Sequence, residues 1–170
     1  MTEEFKHNLN SLLTTLNSTF KEINNGGCDH FTLTIGTKLS ELGYDVEGVC
    51  LQTIINPLDL DKIKEVYRVP SKELSQLNER GGYIHHLMLN VGGYLIDSTG
   101  IYNSLDEVKE LYPRFDEVGR VSLDVIAGWC NSERWNPTFD TGQLPRMEHI
   151  INKYMGQEMT IMKRLEVLFG

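Results

Sequence analysis

Long apolar runs are missing from this chain. No stretch approaches the roughly 20 consecutive apolar residues that a membrane span needs, and no apolar run of signal-peptide length opens the sequence. Membrane insertion and secretion are therefore not expected. Cysteine is scarce as well: Cys28, Cys50 and Cys130 are odd in number and unevenly spaced. A disulfide framework is excluded on that pattern, and a reducing cytoplasm is the expected compartment. Clustered positive charge is also lacking. A formal net charge of −8 leaves no face suited to phosphate contacts, and Arg68, Lys72 and Arg80 are the loosest approach to one, so no nucleic-acid partner is expected. Gly81-Gly82 and Gly92-Gly93 stand outside any GxGxxG or GxxxxGK[ST] context.

What the chain does have is enough material for one ordinary core. Its 170 residues are 40% hydrophobic and 24% charged, and no repeat or linker divides them. We expect a single domain over 1–164. The final residues, 165–170 (Leu165 to Gly170), resemble a tag or linker remnant.

Phe5, Leu9, Leu12, Leu13, Leu16, Phe20 and Ile23 repeat at helical spacing and predict a helix over 3–23, closed by Asn24-Asn25-Gly26-Gly27. Phe31, Ile35, Leu39 and Leu42 continue as a second helical stripe that ends at Gly43. Val46 to Ile55 is rich in β-branched residues and reads as a strand stopped by Asn56-Pro57. Residues 58–80 suggest two short surface helices parted near Pro70. Tyr83–Asn90 and Tyr94–Ser98 flank Gly92-Gly93 as a hairpin. Ser104–Leu111 opens with a serine cap and reads as a short helix. Val121–Ala127 is expected as a strand, 128–145 as loop, and Met147–Met155 as a last helix. Helices first and antiparallel strands later give an α+β class.

The candidate chemistry lies in Cys28, at the start of the second helix, and in the hairpin from His85 to Asp97. A thiol becomes a useful nucleophile when a base takes its proton and a third group holds that base. Parity selects the base. A two-residue Gly92-Gly93 turn pairs Val91 with Tyr94, so His86, Met88 and Asn90 share a face with Leu95 and Asp97. His85 falls on the other, more apolar face. Cys28 is thus the candidate nucleophile, His86 the base and Asp97 the group that orients it. The helix start supplies N–H groups and a dipole that favour a thiolate and an oxyanion. Gly27 keeps the approach clear, and Asn24 or Asn25 is a further candidate oxyanion donor. Asp29 reads as a first-turn helix charge.

The segments Gly26-Gly27-Cys28-Asp29-His30-Phe31 and His86 through Asp97 resemble the nucleophile helix and the His–turn–Asp strands of the papain-like and transglutaminase-like superfamily. The resemblance spans roughly residues 24–100. It implies a papain-like fold in which N-terminal helices, the nucleophile helix among them, pack on a small antiparallel sheet. It also implies a Cys28–His86–Asp97 triad acting on a protein or peptide-like amide through a thioester, as a peptidase, amidase, deamidase or transferase without a cofactor. Some relatives are inactive. The alternative is a papain-like interaction module that binds a protein partner through the segment from Trp129 to Trp135. Zinc on Cys28, His30, His85 and His86 is not expected, because no CxxC pair or HExxH is present and adjacent strand histidines point apart.

Overall fold

Thr2 opens the first helix, its side-chain oxygen accepting the Phe5 N–H at 3.2 Å. In the computed structural model, which describes residues 1–21, 23, 27–53, 86–113, 115–131 and 139–169, this helix α1 runs Glu3–Thr19. Phe20 leaves helical geometry, yet Phe20 and Ile23 stay buried, so the apolar spacing outlasts the helix itself. Helix α2 covers Cys28–Glu41. Gly43, at φ +86°, closes it as Gly43 N–H donates to Ser40 O and Tyr44 N–H to Leu39 O.

Five antiparallel strands follow among the described residues: β1 (Val46–Thr53), β2 (His86–Val91), β3 (Tyr94–Asp97), β4 (Gly100–Tyr102) and β5 (Phe115–Val121), in the spatial order β4-β3-β2-β1-β5. Helix α3 (Leu105–Leu111) bridges β4 and β5. Helix α4 (Leu123–Cys130), a short 3₁₀ turn at Thr141–Gln143 and helix α5 (Leu144–Phe169) complete the chain. The class is α+β. No helix of the described residues is long and apolar enough to cross a membrane.

Two expectations are corrected here. Residues 121–127 are mostly helix: Ser122 caps α4 by accepting the Val125 N–H, which turns Val125, Ile126 and Trp129 onto the core. The strand of this region is β5, one element earlier, where Glu47, Glu117 and Arg120 share the exposed rim. The expected loop at 128–145 accordingly begins with the end of α4 and closes with the start of α5. Pro145 sits in the first turn of α5, where its missing N–H costs nothing. The helices expected over 58–80 lie outside the described residues, as do Ile54, Ile55 and His85.

The sheet has one face toward α1, α2, α4 and α5, where Phe31, Ile35 and Leu39 meet Leu89, Val91 and Ile96. Cys50 and Leu87 continue that face beneath Val125, Ile126 and Trp129. On the opposite face Val49, Leu51, Met88 and Leu95 pack with Val108 of α3. Helix α2 comes so near the sheet and α4 that a Cβ on Gly36 would stand 2.7 Å from Leu123 Cδ2 and 2.9 Å from Leu89 Cδ2. Gly36→Val is therefore expected to lower the urea midpoint, with a cost of about 1–3 kcal/mol from overpacking. That exceeds the ~0.5 kcal/mol gained by removing a helical glycine. An unchanged midpoint would show that both leucines yield.

Candidate active site

The site grows from the two-residue turn. Gly92 and Gly93 take φ +58° and +91°, values that suit glycine and match the twist of the flanking strands. The turn sets Val91 opposite Tyr94, Asn90 opposite Leu95 and Leu89 opposite Ile96. His86 and Asp97 thereby fall on one face, together with Met88 and Leu95. His86 Nε2 lies 2.9 Å from Asp97 Oδ2, with side-chain exposures of 3% and 0%.

Asp97 divides its two oxygens between two tasks. Oδ1 accepts from Thr99 N–H at 2.7 Å, from Gly100 N–H at 3.2 Å and from the Thr99 hydroxyl. That is an Asx turn closing the β3–β4 hairpin. Oδ2 is left for His86. Local backbone donors of this turn thus lock the Asp97 carboxylate against the His86 imidazole. Tyr102 adds its hydroxyl to Thr99 Oγ1. Burial, with the Asp97 charge adding to it against the Thr99 hydrogen bond, pushes the Tyr102 phenol up to about 12.

The imidazole also hydrogen-bonds the Cys28 side chain. Burial alone would favour the neutral ring, but hydrogen bonding to Asp97 and to the Cys28 sulfur outweighs it and pushes His86 up to about 9. Since Nε2 is engaged by Asp97, Nδ1 is the nitrogen left for the thiol. Cys28 is the first residue of α2 and is half-buried. The ring itself is held by aromatic neighbours: Tyr112 at 5.5 Å between centroids and Phe115 at 6.1 Å. These two rings stack on each other at 5.2 Å. No local pattern pointed to them; they come from the end of α3 and the start of β5, which meet His86 only in the folded sheet.

Of the remaining candidates, Gly27 is the N-cap of α2, and its carbonyl accepts the Phe31 N–H at 3.0 Å. Asn24 and Asn25 lie outside the described residues. Trp129 is 1% exposed in the core, which removes it as an exposed partner anchor, and Trp135 lies outside the described residues. Asp29 stands in the first turn of α2, as its place in the sequence suggests. It is fully buried, accepts the His30 N–H at 2.8 Å and hydrogen-bonds the Cys130 thiol. Burial, with the Asp29 charge beside it, pushes the Cys130 thiol up, and burial does the same to Cys50.

Comparison with protein-family models, curated proteins and solved structures gives no match. The chemistry of this chain therefore rests on its own geometry.

Proposed function

We propose that this chain is a cysteine-dependent acyl hydrolase or transferase of papain-like architecture, acting on a protein or peptide-like amide. The observation that carries the reading is the buried imidazole of His86, held by Asp97 at 2.9 Å and hydrogen-bonded to the Cys28 side chain. Nε2–H donates to Asp97, so Nδ1 is the nitrogen left to take the Cys28 proton and, in a ring pushed up to about 9, to hold it near neutral pH. Nδ1 takes the Cys28 proton, and the sulfur attacks the substrate carbonyl carbon. The C–S bond forms as the carbonyl π pair moves to oxygen. The Cys28 N–H, at the positive end of α2, serves as an oxyanion donor. Collapse of the tetrahedral intermediate breaks the C–N bond, and the imidazolium returns its proton to the leaving amine. The thioester that remains is resolved by water, activated by the same imidazole, or by an acceptor amine.

Iodoacetamide labelling of the intact protein near pH 7, read cysteine by cysteine in the mass spectrometer, tests this reading. Cys28 is expected to react at least about tenfold faster than free cysteine, which carries only a few per cent thiolate at that pH. Burial slows Cys50 and Cys130 whatever the function, so free cysteine is the informative reference. A Cys28 rate equal to that of free cysteine would leave the interaction module as the better reading.

A further inference from the structure

We propose that Asp29, His30 and Cys130 form a binding site for a zinc-class divalent cation, next to the nucleophile but built from other side chains. A carboxylate oxygen, an imidazole nitrogen and a thiol sulfur converge there, all within 4.8 Å of one another. Zinc bonds to such atoms are about 2.0–2.3 Å long, which sets tetrahedral ligands roughly 3.3–3.8 Å apart. The three donors need to close by only about 1 Å. Thiolate and imidazole suit zinc rather than magnesium or calcium, which prefer all-oxygen shells.

The surroundings favour a site over a chance cluster. Asp29 is 0% and His30 8% exposed, so two donors are fixed before any ion arrives. Asp29 Oδ1 is oriented by the His30 N–H at 2.8 Å, and the His30 ring rests 5.8 Å from the Phe139 ring. Such outer contacts are what aims metal ligands. Cys130 is half-buried and ends α4, so the site lies at the edge of the core, with a water molecule as the fourth ligand of the proposed ion. The electrostatics balance. The positive end of α2 opposes a cation, while the negative end of α4 and two anionic ligands attract it. On coordination the Cys130 hydrogen bond to Asp29 gives way to two bonds to one ion, and the thiol proton leaves to solvent. The ion then ties α2 to α4.

The proposal does not depend on the acyl-transfer reading and is tested with the nucleophile removed. Full-length Cys28→Ser protein is titrated with cobalt(II). One equivalent is expected to bind, with a thiolate-to-cobalt charge-transfer band and tetrahedral visible bands that zinc abolishes. Zinc should also raise the melting temperature of this protein by a few degrees. In Cys28→Ser/Cys130→Ser the charge-transfer band should vanish and affinity should fall by more than about 100-fold, beyond what loss of an outer contact costs. His30→Gln on the same background should weaken binding at least about tenfold. Absence of the band in Cys28→Ser, or its survival without Cys130, overturns the proposal. If the Cys130→Ser protein does not fold, His30→Gln decides, and unchanged cobalt affinity there overturns it.

Discussion

Asp97→Asn is expected to lower the rate of acyl-enzyme formation with an activated ester by as much as ~10³–10⁴, with the fold retained. The argument is one of donor and acceptor counting. Asp97 Oδ1 is claimed by Thr99 N–H, Gly100 N–H and the Thr99 hydroxyl, and Oδ2 faces His86 Nε2. Asparagine offers one oxygen and one NH2 group. If its oxygen stays with the turn, the NH2 group faces Nε2, and the ring must present a lone pair there. The ring proton then moves to Nδ1, the nitrogen that has to accept the thiol proton. If the amide flips, its NH2 meets the backbone donors of the turn, and buried N–H groups go unsatisfied at about 1–3 kcal/mol each. Either arrangement disables the base. The first leaves the fold intact and is the cheaper one.

Two measurements check this. The urea midpoint should fall only modestly, and the Cys28 acylation rate should collapse. Thr99→Ala is the companion variant: it removes one hydroxyl donor and leaves both backbone donors on Oδ1, so acylation should change by less than about tenfold, one hydrogen bond being worth about 1 kcal/mol. A folded Asp97→Asn protein with unchanged acylation would remove Asp97 from the mechanism.

The hairpin was legible in the sequence because a period of two has no tolerance. Once Gly92-Gly93 is a two-residue turn, the partners of every residue in β2 and β3 follow, and His86 must face the side that Asp97 faces. Helix α1 was legible for a looser reason. Apolar spacing reports which side chains are buried, and Phe20 and Ile23 obey it although α1 stops at Thr19. The same looseness misled at residues 121–127. Val121, Val125 and Ile126 suggest a strand by composition, but Ser122 as cap and Asp124 in the first turn start a helix. The preceding strand was missed because β5 is an edge: among the described residues it pairs with β1 alone, and Asp116, Glu117 and Arg120 interrupt its apolar residues. Tyr112 and Phe115 beside His86, and Cys130 beside Asp29, had no local signal. These contacts join residues far apart in the chain, and pattern at short range does not record them.

His86→Ala is expected to act on reactivity and on the pH profile of stability together. Iodoacetamide should label Cys28 at least about tenfold more slowly near pH 7, because an unassisted thiol carries only a few per cent thiolate. The pH profile follows from the ring's own titration. His86 moves from 6.5 to about 9 on folding, against its burial, through Asp97 and Cys28. Below about 6.5 the ring is protonated in folded and unfolded chains alike, and its contribution is fully present. Between 6.5 and about 9 only the folded chain keeps the proton, so stability falls as pH rises, and above about 9 the contribution is gone. A shift of this size is worth on the order of 3 kcal/mol. Urea unfolding across that window should show the decline in the parent protein and a flatter profile in His86→Ala. Loss of packing against Tyr112 and Phe115 would lower stability at every pH by a similar amount, so it cannot imitate a change of slope. His86→Gln sharpens the comparison: it can still donate to Asp97 Oδ2, yet it does not titrate. Its profile should be as flat as that of His86→Ala, at higher overall stability. Parallel slopes in all three proteins would mean that the imidazole is not the group holding the proton between the carboxylate and the thiol.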